Sequence, residues 1–222
     1  MILTKRLFVR EAPSRLAKSI YIFCEGAKRE YQYFQYFKEL DSRINIEVYK
    51  LDPTENNSPL GLFDIAKQCI LSDIKNEKAK YSFQKGDEVW IVLDIDKDKL
   101  DSRKPQIEKI QQEINTLNNW NLSLSNPCFE VWHYYHLEKE MPTFNNLEVC
   151  KNWKNHINNV VKGGYDSRRH PILILDAQTN SENNFESENS IPTEGNTDLF
   201  NLSKIILELI GEKISKVRVQ IE

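Results

Sequence analysis

Across residues 19–138 the apolar positions switch repeatedly between two periods, and each switch marks a change of element. Ser19 to Cys24 is a short apolar run closed by Gly26, the pattern of a strand running into a tight turn. Tyr33, Phe34, Phe37 and Leu40 then recur at helical spacing within Lys28 to Leu40. From Ile44 to Leu51, Ile44, Ile46 and Val48 alternate with polar neighbours, as a half-buried strand requires. After Pro59, Leu62, Phe63, Ile65, Ala66, Ile70 and Ile74 predict a second helix. Val89 to Leu93 is apolar without a break, which in a strand means cover on both faces. Ile107, Ile110, Ile114 and Leu117 predict a third helix, and Trp120, Leu122 and Leu124 a fourth strand.

Strands that alternate with helices predict an α/β fold, a mostly parallel sheet sandwiched by helices. Residues 15–140 hold this core, and residues 141–222 read as a mainly helical C-terminal region that completes or flanks it. Within that region Leu147 to Val161 reads as a helix ended by Gly163-Gly164. Pro171 to Ala177 suits a strand or a buried helix equally. Gln178 to Asn196, dense in Asn, Ser and Glu, is expected to be an exposed loop, and Leu199 to Ile210 resumes helical spacing.

Composition narrows the function classes. The 222 residues, 40% hydrophobic and 28% charged, suit a soluble globular protein. No apolar run approaches the ~18 residues of a membrane span, and Met1 to Ser14 lacks the apolar core of a secretory signal. The four cysteines, Cys24, Cys69, Cys128 and Cys150, show no paired spacing and read as reduced thiols of a cytoplasmic protein. A net charge of −3 argues against non-specific duplex binding as the main role. It leaves a nuclease open, because carboxylates around a metal themselves lower the count. Lys151, Lys154, His156, Lys162, Arg168, Arg169 and His170 form a locally basic stretch, either a solvated face or a phosphate-binding patch.

Candidate chemistry sits at the ends of two of these strands. In an open parallel sheet, ligands bind outside the carboxyl ends of the strands. Glu25 ends the first strand, and Asp94 and Asp96 end the apolar one; their spacing of two predicts that both project from one face. Three close carboxylates repel unless a cation compensates them, and Mg²⁺ or Mn²⁺ suits such hard oxygen ligands. Glu30 falls on the apolar stripe of its helix, where it either favours the helix dipole or lines the site. In Ser125 to Trp132, Asn126 is expected to cap a helix with Pro127 in its first position. The residues that follow are apolar nearly all round, so Glu130 within them needs a metal, a basic residue or a proton. His133 and His136, three apart, lack a matched third ligand, and Cys128 reads as a core thiol. A P-loop is absent from the sequence.

Taken in order, Phe23-Cys24-Glu25-Gly26-Ala27-Lys28-Arg29-Glu30, Tyr33-Phe34, Val92-Leu93-Asp94-Ile95-Asp96 and Ser125-Asn126-Pro127-Cys128-Phe129-Glu130-Val131-Trp132 resemble RloB-like proteins, a branch of the TOPRIM superfamily. Pro192-Thr193 and Asn196-Thr197-Asp198-Leu199 resemble that family's C-terminal turn and helix. The resemblance implies a TOPRIM-like core with Glu25 as acid/base and Asp94 and Asp96 as magnesium ligands. It also implies a nuclease acting on RNA, including tRNA, or on DNA in bacterial phage defence, beside an ABC- or OLD-type ATPase. On this reading Glu25, Glu30 and Glu130 are the catalytic candidates. Lys28, Arg29, Lys97, Asn126, Arg168 and Arg169 are the candidate nucleic-acid contacts. A non-catalytic nucleic-acid-binding or regulatory subunit is the alternative, and homo-oligomerisation stays open.

Overall fold

Strand β1 (Lys18–Cys24) is flanked by parallel neighbours on both sides, β2 (Ile44–Tyr49) and β3 (Glu88–Asp94). A computed structural model of the chain describes residues 8–26, 28–71, 79–96, 98 and 100–219. Beyond β3 lies β4 (Trp120–Asn126), also parallel, and the short β7 (Asn196–Thr197) pairs antiparallel with it, giving the order β2-β1-β3-β4-β7. The architecture is thus α/β with a mostly parallel central sheet.

Side-chain alternation along the strands divides the core into two layers. Ile20, Ile22 and Cys24 of β1, Ile44, Ile46 and Val48 of β2, and Trp90 and Val92 of β3 face one layer. Helices α1 (Arg29–Gln35), α4 (Glu130–Tyr135), α6 (Ile174–Asn183) and α7 (Phe200–Val219) pack there. Tyr21, Phe23, Val89, Ile91 and Leu93 face the other layer, covered by α2 (Pro59–Ile70) and α3 (Leu100–Ile114). The unbroken apolar run of β3 is therefore covered on both faces, as its composition requires. Helix α5 (Cys150–Val160) packs Trp153 and Ile157 on Val131, Tyr134 and Tyr135 of α4.

Several elements differ from the sequence expectation, each for a local reason. Helix α1 ends at Gln35, not Leu40. The chain tightens through Tyr36 N→Tyr33 O and Phe37 N→Phe34 O bonds, Glu39 adopts a left-handed φ of 59°, and the Arg10 guanidinium takes the Tyr36 and Lys38 carbonyls. Asn126 does not cap a helix. It ends β4, its side-chain amide donates to the Pro192 carbonyl at 2.8 Å, the Asn126–Pro127 peptide is cis, and α4 starts only at Glu130. Helix α2 ends at Ile70, and Ile74 lies outside the described residues. Pro171 to Ala177 resolves as a 3-10 turn, His170–Leu173, followed by the start of α6.

The largest correction concerns residues 178–196. This polar stretch completes α6, forms a hairpin of β5 (Ser187–Glu188) and β6 (Ile191–Pro192), and supplies the edge strand β7. Residues 187–190 of the hairpin are exposed, as expected, whereas Asn180, Ser181, Asn196 and Thr197 are buried and hydrogen-bonded, which removes most of the cost of burial. Asn180 Nδ2 donates to the Tyr135 carbonyl at 2.9 Å, Asn196 Oδ1 accepts from the Glu186 amide at 3.1 Å, and the Thr197 and Ser125 hydroxyls meet at 2.8 Å.

Candidate functional site

The carboxyl edge of the sheet gathers acidic side chains from four elements. Glu25 follows β1, Asp94 closes β3, Glu30 opens α1 and Glu130 opens α4. Glu30 is 9% and Glu130 6% exposed, so both carboxylates sit away from bulk water. Burial first, then the charges of Glu30, Glu25 and Glu130, raise the Asp94 carboxyl well above the ordinary range. The same causes, burial foremost and then Glu130 and Glu25, push Glu30 up to about 7. Mutual repulsion of this kind is the electrostatic signature of convergence.

Gly26 explains how Glu30 reaches the edge. A Cβ at position 26 would coincide with the Glu30 carboxylate, so only glycine lets that group lie against the backbone after β1. Glu130 pairs with Arg29, and with Lys154 of α5 at 3.7 Å. The basic partner that a buried Glu130 demands is therefore present.

Glu25 is held by a residue that the sequence reading missed. Arg103 of α3, 6% exposed, grips both carboxylate oxygens: Nη1 donates to Oε1 at 2.9 Å and Nη2 pairs with Oε2. The Asp94 amide donates to Glu25 Oε2 at 3.0 Å, tying the ends of β1 and β3 together. Arg103 falls four, seven and eleven residues before Ile107, Ile110 and Ile114, on the buried stripe of α3. A charged residue on an apolar stripe was the available signal.

Asp96 is placed differently from Asp94. Strand geometry ends at Asp94; Asp96 has a left-handed φ of 45°, and its amide donates to the Pro127 carbonyl at 3.0 Å. The alternation rule that predicted a shared face does not extend past the strand end. Among the described residues, the one trio of acidic, His or Cys ligand atoms lying within 4.8 Å of one another is Cys128, Glu130 and Cys150. Glu25, Asp94 and Asp96 do not form such a trio, and the Glu25 carboxylate is held by Arg103.

Beside this edge a cleft of about 530 Å³ opens between the start of α3 and the β5–β6 hairpin, lined by Ile95, Lys104, Asn126, Pro192 and Thr193 among others. Asn126, expected to contact nucleic acid, faces this cleft, and Lys104 adds a cation the sequence reading did not single out. Lys28 is exposed at the N-terminal boundary of α1, while Arg29 is engaged by Glu130. Arg168 and Arg169 are both paired with Asp166, at 3.2 and 3.7 Å. Lys97 lies outside the described residues.

His133 and His136 belong to the core. His136 Nδ1 donates to the Trp132 carbonyl at 2.8 Å, so Nε2 accepts from the Tyr33 hydroxyl at 3.2 Å. The His133 ring stacks on Tyr165 with centroids 3.7 Å apart. Burial keeps both imidazoles neutral, lowering His136 to about 3 and His133 well below its usual range.

A family model described as RloB-like protein matches residues 20–206, which takes in the whole acidic edge and the first turns of α7. Neither a curated protein nor a solved structure matches the chain.

Proposed function

The chain belongs to the RloB-like family, and on that premise we propose that it is a TOPRIM-type nuclease dependent on Mg²⁺ or Mn²⁺. The observation that carries this reading is the convergence of Glu25, Glu30, Asp94 and Glu130 at the carboxyl edge, where burial and the charges of Glu25 and Glu130 raise the proton affinity of Asp94 and Glu30. Such a set of hard oxygen donors fits a small dication, which relieves the repulsion. By the family resemblance Glu25, Asp94 and Asp96 would hold the ion, which requires Glu25 to exchange its Arg103 contact for the metal. When bound, it supplies positive charge beside a scissile phosphate and lowers the pKa of a coordinated water.

The chain's own residues supply the rest. Glu30, near neutrality in its proton affinity, is suited to accept a proton from an attacking water or to return one to the leaving oxygen. Arg103 fixes the Glu25 rotamer by its two-pronged grip. Lys104 and Asn126, which line the adjoining cleft, would meet phosphate and base edges of RNA or DNA. We assign the protein to bacterial phage defence, under control of an ATPase partner that keeps the nuclease silent until infection. A second reading, a non-catalytic nucleic-acid-binding subunit, draws support from one observation: Arg103 already satisfies the Glu25 carboxylate.

The test is Mn²⁺ binding by calorimetry, together with cleavage of tRNA, single-stranded RNA and duplex DNA, with and without EDTA. Binding and cleavage in the wild type, both lost in Asp94→Asn/Asp96→Asn, support the nuclease. Cleavage that persists in EDTA or in that variant overturns it. Nucleic-acid binding without Mn²⁺ binding, in the presence of the partner ATPase, selects the second reading.

A further inference from the structure

Cys128 and Cys150 are separated by a long stretch of sequence, yet the fold brings their sulfurs within 4.8 Å of one another. Cys128 sits in the connection from β4 to α4 and is 1% exposed; Cys150 is the first residue of α5, half-buried, on the same face as Trp153 and Ile157. Glu130 completes the trio, with all three ligand atoms within 4.8 Å of one another. We propose that Cys128, Cys150 and Glu130 form a binding site for a thiophilic divalent cation, with Zn²⁺ as the resident ion and water in the fourth position.

Donor chemistry separates this site from the carboxylate edge. Thiolate sulfur selects zinc-like ions, whereas Mg²⁺ takes oxygen donors and dehydrates reluctantly. Three protein ligands and one open position are a common zinc arrangement. A tetrahedral Zn²⁺ about 2.3 Å from each sulfur sets the two sulfurs about 3.8 Å apart. A trio already within 4.8 Å reaches that geometry with side-chain shifts of an ångström or less. Asp94 and Glu130 both act on the Cys128 thiol and make the locus negative, which favours a cation. The neighbouring Cys150 thiol, burial and the same charges raise the Cys128 thiol well above its usual range, so a bound ion must displace its proton. The competing cations are Arg29 and Lys154, both on Glu130 Oε1; their side chains are 54% and 41% exposed and can swing to solvent. A bound ion would staple α5 to the β4–α4 connection immediately beside the acidic edge.

The experiment is a Co²⁺ titration of the reduced, chelator-treated full-length chain, followed by optical absorption. The expected result is a thiolate-to-cobalt charge-transfer band saturating at one ion per chain, abolished by Zn²⁺ and untouched by excess Mg²⁺. Cys128→Ser and Cys150→Ser should each lose the band while their circular dichroism stays that of the wild type. If Cys128→Ser fails to fold, the half-buried Cys150→Ser carries the test alone. Absence of the band in folded wild type overturns the site, as does a band that survives Cys150→Ser. Loss of two titratable thiols without any band would identify a Cys128–Cys150 disulfide instead and equally overturn it. Failure here leaves the Mn²⁺ test of the acidic edge unaffected, because the ligands assigned there, Glu25, Asp94 and Asp96, are outside this trio.

Discussion

At the scale of single residues, the acidic edge depends on charges that the fold compensates unequally. Glu25 and Arg103 make a two-pronged pair with side chains 17% and 7% exposed, so removing one partner strands the other in a poorly solvated place. Arg103→Ala should cost about 3–5 kcal/mol, seen as a lowered denaturant midpoint with little change in slope. A loss under ~1 kcal/mol would show that the pair is solvated. Glu30 is the opposite case, a carboxyl without full compensation. Its pKa rises from 4.5 to about 7, so between those values the folded state keeps a proton that the unfolded state has lost. Stability attributable to Glu30 must therefore fall as pH climbs from about 4.5 to about 7 and level off above. Asp94 and Asp198, also raised, slope the same way, and Asp41, lowered to about 2, acts only in stronger acid. The difference between wild type and Glu30→Gln reports Glu30 together with its effect on Asp94. A wild-type-minus-variant stability that stays flat from pH 4.5 to 7 would refute the burial argument for Glu30.

At the scale of elements, what the sequence made legible was whatever periodicity controls. The β1, β3 and β4 strands and the α2 and α3 helices follow from runs of period two and period 3.6, and Glu25 and Asp94 followed because they sit where those runs stop. Periodicity could not show β7 or the end of α6, because polar residues there are buried by hydrogen bonds made to distant chain, and composition alone reads them as solvated. Nor could it place Asp96, whose backbone leaves the strand, or bring Cys150 to Cys128. Asp198 shows how such polar anchoring works. Its carboxylate accepts from the Ser123 hydroxyl and the Leu124 amide, both at 2.7 Å, fastening the β7–α7 junction to β4. Burial raises it to about 6 while those two bonds hold it down. Asp198→Ala leaves two donors without an acceptor and should cost about 1–3 kcal/mol. Amide exchange should speed up first at Leu124 and in α7. Asp198→Asn, which keeps one acceptor oxygen, should cost less, and equal losses for the two variants would mean that the hydrogen bonds are not the cause.

At the scale of the whole molecule, the question is whether the early βα units can stand without the C-terminal segment. Helix α7 packs on α6 and contributes Phe200, Leu202, Ile206, Ile210 and Ile214 to the same apolar layer as Ile20, Ile22, Ile44 and Ile46. Polar ties reinforce the contact: Arg43 donates to the Leu209 carbonyl, and Lys213 bonds Glu11 at 2.8 Å and approaches Asp41 at 3.5 Å. Full burial of a large apolar side chain is worth about 1.5–3 kcal/mol. The α7 set together therefore matches the ~5–15 kcal/mol net stability of a typical domain. A chain truncated after Thr197 should accordingly fail to form a rigid core, even though every strand of the parallel sheet is retained. It should keep part of its far-ultraviolet dichroism, lose the near-ultraviolet signal of its tryptophans, and bind a hydrophobic dye. Cooperative unfolding with a native near-ultraviolet spectrum would mean that α7 is an accessory. Failure of the truncated chain would make the helix part of the scaffold that holds β1, and with it Glu25, in register with the rest of the acidic edge.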